Sequence, residues 1–463
     1  MLRENPRGFS LDAAGHLLPG SPATDNGDRN HAPRYPRALV IAYSAFVLVA
    51  IGRIGDLIPG LGSLPLAKLA MGIAIAVLFS SWRQLPKLAS IVRPWLRSAL
   101  LLAALAILTV PISIWPGASF AFLYTQLPVL AATVTVASKL SNNWSQLRNV
   151  TRMLVISAFV LALSALSGFR GGRASSATNA YDTNDLAYLL VTVLPLAFAF
   201  ALTAKTRMAR LVNGTVLGLL LVALLLTSSR GGFFGLLTVL TFLVFLPIKR
   251  PQERPHGQKV RKGVVSSLIA VLCLGAVLWP NLPFETRNRL ATVLTLQSDY
   301  NLDARNNHSR SSIWQRNLSA VLHRPIGYGV DSFPMVDMST GGQFMAPHNS
   351  YLETLVELGF LGFILFLRVY LLAWRMLGRV RSALLSATAS GEKDEVLVFA
   401  RMLQASILGN AVAGFFLSMA YSIVLWTLLG IVIACTSLVT ASWANHEETT
   451  AGAPAPGGNT TSA

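Results

Sequence analysis

Residues 210–248 read RLVNGTVLGLLLVALLLTSSRGGFFGLLTVLTFLVFLPI, two apolar blocks joined through Ser228-Ser-Arg-Gly-Gly232. At 1.5 Å per residue, a block of about 18 residues makes a helix of about 27 Å, close to the thickness of a bilayer's hydrocarbon core. Neither block alternates between apolar and charged faces as a helix on a soluble core would. The link between them leaves room only for a turn, so the stretch reads as a membrane hairpin with Arg230 held at the boundary.

The same pattern recurs along the chain. Apolar spans fall at about 38–52, 64–81, 98–115, 119–137, 151–168, 185–204, 210–228, 231–248, 263–280, 351–374, 399–420 and 421–441. The expected fold is therefore an all-α integral membrane protein with about 12 transmembrane helices. Composition agrees: 53% of the 463 residues are hydrophobic and only 13% are charged, against about a quarter in soluble proteins. The net charge of +18 does not point to nucleic acid, because the basic residues sit in short clusters between apolar blocks. Cys273 and Cys435 each lie inside an apolar block, which leaves no disulfide framework or thiolate metal site. The sequence has neither a Gly-Lys-Ser/Thr phosphate loop nor a His-Glu-x-x-His zinc motif.

Charge sets the expected orientation. Alternate connections, counted from the N-terminal segment, carry 26 Lys and Arg, and the short connections on the other side carry four: Arg53, Arg170, Arg173 and Arg230. The positive-inside rule then places both termini in the cytoplasm. Residues 1–37 read as a disordered cytoplasmic tail, 38–280 as spans one to nine, 281–350 as one large periplasmic loop, 351–441 as spans ten to twelve, and 442–463 as a second disordered tail. Within the loop, Ser309 to Leu322 has Ile313, Leu318, Val321 and Leu322 at roughly helical spacing, ended by Pro325. It predicts an interfacial amphipathic helix followed by a turn over Pro325-Ile-Gly-Tyr-Gly329.

Charged groups at a membrane boundary are costly and mark candidate sites. Arg230 suits a phosphate ligand or a snorkelling anchor. Arg310 and Trp314, four apart, share a helix face. His348 stands where the loop re-enters the membrane, followed by Asn349, Glu353 and Glu357 at steps of four, with Glu357 about 12 Å along the helix. Asn184 or Asp185 caps the next span after a polar loop, and Arg170 and Arg173 add positive charge there. Several arginines and one histidine, with acidic groups behind them and no metal-ligand spacing, suit an anionic lipid-linked substrate. Guanidinium groups neutralise a pyrophosphate leaving group, and a neutral histidine takes a proton from an attacking hydroxyl.

These segments resemble the bacterial O-antigen ligase and O-antigen polymerase superfamily. Ser228-Ser-Arg-Gly-Gly232 is similar to its short Arg turn. Ser309-Arg310, Trp314 and Pro325 to Gly329 are similar to its Gly-Arg-x-x-x-Trp and Pro-x-x-Gly-x-Gly stretch, with Ser309 where Gly is usual. His348-Asn349, Tyr351, Glu357, Gly359 and Gly362 are similar to its His-Asn re-entry. Asn184-Asp185-Leu-Ala187 is similar to its Pro-Asn-x-x-Ala helix start, with Thr183 where Pro is usual.

The resemblance implies a class C glycosyltransferase-like fold in the bacterial inner membrane and inverting transfer with no metal or other cofactor. It implies a donor glycan on undecaprenyl pyrophosphate and an acceptor that is either lipid A core or another glycan. Carried over, His348 is the catalytic base or acceptor-orienting residue. Arg230 and Arg310, with Arg305 as an alternative to Arg310, hold the pyrophosphate; the residue pattern itself adds Asn349, Glu353 and Arg170 to the candidate substrate-binding set. The rival reading is a transporter or flippase for an amphiphilic anionic substrate, with the Asn349, Glu353 and Glu357 stripe as its ion path.

Overall fold

The structure is a computed structural model. It describes residues 37–140, 143–170, 172–176, 178, 181–245, 307, 309–386 and 391–451, with isolated residues 10–11, 17–18, 280, 284 and 287. Residues 1–36 are a separate unit, in which Ser10–Leu11 pairs antiparallel with Leu17–Leu18. The remainder is helical among its described residues.

The helices that build the bundle are α1 (Arg37–Ala50), α2 (Leu66–Ser80), α3 (Arg93–Leu108), α4 (Pro116–Thr125), α5 (Leu127–Lys139), α6 (Trp144–Ser167), α7 (Thr183–Leu202), α8 (Arg207–Leu226) and α9 (Arg230–Phe245). After them come α10 (Arg310–His323), α11 (Phe333–Ser339), α12 (Ser350–Ser386), α13 (Gly391–Gly414) and α14 (Ile423–Ala451). Among the described residues, eight segments are long and apolar enough to cross a membrane, and α1, α2 and α9 are shorter apolar helices at three further expected spans. The span expected over 263–280 falls outside the described residues, except for residue 280.

Burial separates centre from rim. In α7, α13 and α14, 83% of the apolar window is buried inside the protein, against 22% in α8 and 28% in the α3 segment. Since lipid is as apolar as leucine, helices in a membrane are held largely by packing and polar stitches. Asn410 supplies one, donating from Nδ2 to Thr192 Oγ1 at 2.9 Å while its Oδ1 accepts from Tyr370 Oη at 2.7 Å, so α7, α12 and α13 meet at one side chain. Trp95 Nε1 donates to Val369 O at 3.1 Å, fixing α3 to α12.

Three elements depart from expectation. The last helix continues to Ala451, about ten residues past its apolar span, because no Gly or Pro intervenes before Gly452. The stripe on α10 divides: Ile313 and Val321 are buried with Ala320, Phe333, Val336, Leu352 and Val356, while Leu318 and Leu322 point outward. Helical geometry explains this, since 313, 317 and 321 lie on one face and 318 and 322 on another. Finally, α12 is broken at Gly359, whose φ of +68° is non-helical.

That break organises the site. The turn Pro325–Gly329 lies directly on it, with Tyr328 N donating to Val356 O (2.9 Å), Gly329 N to Glu357 O (2.9 Å) and Phe360 N to Pro325 O (3.1 Å). Carbonyls freed by the lost helical bonds are thus paired by the turn, as buried backbone groups must be. The approach is so close that a Cβ on Gly327 would overlap the Glu357 carbonyl oxygen and one on Gly359 would overlap that of Pro325.

Candidate functional site

Arg230 opens α9 after a sharp turn in which Ser228 takes φ +53°. The turn is braced from the side: Ala174 N donates to Leu226 O at 2.9 Å, and Arg173 donates from Nε to Thr227 O at 3.0 Å and from Nη2 to Asn184 Oδ1 at 2.8 Å. Arg173, expected to add charge, therefore also caps the carbonyl end of α8. Gly231 and Gly232 leave space that Phe416 and Ala187 fill, so their smallness serves helix packing.

The cap of α7 is Asp182, not Asn184 or Asp185: its Oδ1 accepts from Asn184 N at 2.6 Å and Asp185 N at 2.7 Å. With Asp182, Thr183, Asn184 and Asp185 all of capping type, only the backbone geometry decides which of them sits one residue outside the helix.

Arg310 is the first residue of α10, whose N-cap Ser309 accepts from Ser312 N at 3.2 Å. Trp314, one turn on, does more than anchor an interface. Its Nε1 donates to Pro347 O at 2.7 Å and its ring meets Phe415 edge-on at 5.4 Å, which fixes the segment just before His348. His348 has φ +48°, and its backbone N donates to Ser418 Oγ at 3.0 Å. A residue held in the left-handed region needs surroundings that enforce it.

Electrostatics show which groups converge. Arg310 lies within the field of both Arg230 and Asp182, and His348 within that of Arg310 and Asp182. Burial, then the Arg310 charge, hold the His348 imidazole below its usual range, which keeps it neutral near pH 7. Burial, then the like charge of Arg230, also press Arg310 downward. A bound anion within reach of both relieves that repulsion. Charge effects thus run from Arg230 to Arg310 and from Arg310 to His348, with Asp182 acting on the last two.

Asn349 is 5% exposed and caps α12, its Oδ1 accepting from Tyr351 N at 3.0 Å and Leu352 N at 3.1 Å. Glu353 accepts from Ala420 N at 3.2 Å. Glu357 accepts from Phe333 N at 3.2 Å and Tyr421 Oη at 2.8 Å. Ser350 Oγ accepts from Met419 N at 2.8 Å and donates to Leu417 O at 2.6 Å. The polar stripe on α12 therefore clamps residues 417–421, in the link between α13 and α14. Arg170 is exposed, and no hydrogen bond or ion pair joins it to the cluster among the described residues. Arg305 lies outside the described residues. Among those described, no group of three or more His, Cys, Asp or Glu is placed to hold a metal ion.

Asp182, Ser350, Ser418 and Tyr421 escaped sequence reasoning as site residues, and Trp314 was singled out there without its partner Pro347. A Trp or Ser in an apolar or loop context carries no sign of its long-range partner. Only Asp182 left a trace, as one of the polar residues before an apolar span.

A multi-span membrane protein with a cationic, histidine-bearing cluster at one end of its bundle is the class that fold and site define. Residues 215–367 match the family described as O-antigen ligase, and the match supports the O-antigen ligase and polymerase superfamily for this chain. That family supports membrane glycosyltransferase activity of the ligase or polymerase type in general. The matched stretch includes Arg230, Arg310, the Pro325–Gly329 turn and His348. No curated protein matches the sequence.

Proposed function

We propose that the chain transfers a glycan from undecaprenyl pyrophosphate to a sugar hydroxyl, with inversion and without a metal, at the periplasmic face of a bacterial inner membrane, both termini being cytoplasmic. The observation that carries this reading is the run of charge effects from Arg230 to Arg310 and from Arg310 to a half-buried His348, with Asp182 acting on the last two.

In the proposed step the acceptor hydroxyl oxygen attacks the anomeric carbon on the side opposite the pyrophosphate. The new C–O bond forms as the bond to the pyrophosphate oxygen breaks, and the hydroxyl proton passes to the neutral imidazole of His348. Arg230 and Arg310 stabilise the charge that collects on the leaving group, the part a metal otherwise plays. Guanidinium suits this task because its planar fork can bind phosphate oxygens in pairs. Glu353 and Asn349 act from behind, holding the first turn of α12 and residue 420 so that His348 stays at the mouth of the helix.

The test supplies the purified protein, in detergent with chelator, with a lipid-pyrophosphate-linked repeat unit, and follows glycan length and released lipid pyrophosphate. Longer glycans without added acceptor indicate a polymerase, and transfer only to lipid A core indicates a ligase. No product with either acceptor overturns the reading and favours transport. His348→Ala should abolish product while the protein still accumulates; normal product from that variant removes His348 from the base role.

A further inference from the structure

At the end of α12 remote from His348, arginines gather, and among the described residues none of them makes an ion pair. Trp374 lies roughly 36 Å of helix beyond Ser350, about the reach from one membrane interface to the other. Trp374, Arg375, Gly378, Arg379 and Ser382 line an open cavity of about 540 Å³. Two more arginines stand behind its wall. Arg381 Nη1 donates to Gln404 Oε1 at 2.9 Å, but its Nε is buried and has no hydrogen-bond partner among the described residues. Gln404 Nε2 in turn reaches Trp374 O at 3.4 Å, which ties this layer to the cavity.

Arg401 is 2% exposed; its Nη2 donates to Phe242 O at 2.9 Å and its guanidinium lies 3.7 Å from the Phe242 ring centroid. The Phe242 ring meets Trp374 edge-on at 5.3 Å. Arg381 and Arg401 lie within each other's field. Capping the end of α9 accounts for one donor of Arg401 and for none of the other three arginines. Among the described residues the ion pairs are Arg53–Asp56, Arg148–Glu395 and Arg316–Asp337, and none involves this group. In sequence, residues 246–262 after α9 add six Lys and Arg and a single Glu, charge of the same sign.

Buried positive charge calls for an anion, and the surroundings indicate which. Trp374 is a residue type that sits at head-group level, and the exposed Leu371 and Ile364 continue up the α12 surface from Arg375 at helical spacing. A ligand with phosphate at one end and hydrocarbon at the other matches both parts. We propose that this pocket binds the head-group phosphate of an anionic phospholipid, with Arg375 and Arg379 on the phosphate, Arg381 Nε behind it, and the acyl chains along Leu371 and Ile364. Basic clusters at the cytoplasmic ends of spans bind anionic lipid head groups, and each Lys or Arg near such a surface typically weakens or strengthens binding by about tenfold or less.

The full-length protein in detergent tests this by thermal unfolding against phosphatidylglycerol, phosphatidylcholine or inorganic phosphate, with native mass spectrometry counting bound lipid. Phosphatidylglycerol should raise the midpoint and remain bound, while the other two leave it unchanged. Arg375→Gln with Arg379→Gln, two exposed positions, should weaken the phosphatidylglycerol response about thirtyfold. Arg381→Gln, measured separately, should weaken it as well. Equal stabilisation by phosphatidylcholine overturns the proposal, as does an unchanged response in the double variant. A response reproduced by inorganic phosphate would mean a free-phosphate site and would overturn the lipid assignment.

Discussion

The close seat of the Pro325–Gly329 turn on the α12 break makes a quantitative prediction, because the chain supplies its own control. Gly327 and Gly341 have nearly the same backbone, φ +90° and +85°, so alanine at either carries a similar left-handed penalty of about 1–2 kcal/mol. At Gly341 nothing lies within 4 Å of the added carbon. At Gly327 it would overlap the Glu357 carbonyl oxygen and stand 2.5 Å from Gly359 N. The turn must then lift away and lose its three backbone bonds to residues 356, 357 and 360. At about 1 kcal/mol each, their loss adds about 3 kcal/mol. Gly327→Ala should therefore cost about 4–5 kcal/mol and Gly341→Ala about 1–2 kcal/mol, read as the difference in guanidinium unfolding of the two variants in one detergent. Transfer activity should fall with the first and persist with the second. Equal losses from the two would refute the close approach of turn and helix, and with it the account of how the broken helix is paired.

Three further outcomes follow from the site. Because burial and Arg310 keep the His348 pKa below its ordinary value, the neutral base persists to lower pH, and activity should fall only as acid passes that depressed value. Arg310→Gln should raise it, so the residual activity should lose its acid limb at higher pH; an unmoved limb would separate the two residues. Arg230→Lys should reduce transfer at least tenfold, since a point charge does not replace a paired fork, and full activity in a glycan-length assay would leave Arg230 a boundary anchor. Glu357→Ala strands Phe333 N and Tyr421 Oη, a cost of about 1–3 kcal/mol per buried group, whereas Glu357→Gln retains an acceptor and should unfold near wild type.

The spans were legible because hydropathy over about 18 residues records the solvent directly, whatever the tertiary contacts. The charged residues at the membrane boundary were legible for the same reason: Arg230, Arg310 and His348 are costly there and stand out. What the sequence hid is pairing at a distance. Nothing near Trp314 indicates that its indole reaches Pro347, and nothing near Gly359 separates an ordinary small residue in a span from a break. Asn349 was read as a ligand because it adjoins His348, yet its carbonyl oxygen is occupied by the first turn of α12. The arginines beside Trp374 read as ordinary positive-inside charge, and only the structure reveals the buried Nε of Arg381 and the depth of Arg401.

Spans tilt to match the local bilayer, by amounts that differ between membranes and along one membrane over time. A continuous α12 would carry that tilt straight into His348 and the two carboxylates. Interrupted at Gly359, the helix has its first turns fastened to the Pro325–Gly329 turn and to residues 417–421, while the part beyond is stitched separately, to α3 at Val369 and to α13 at Tyr370. His348 and the polar stripe thus hang from one set of contacts and the long span from another, as a compass is mounted apart from its deck.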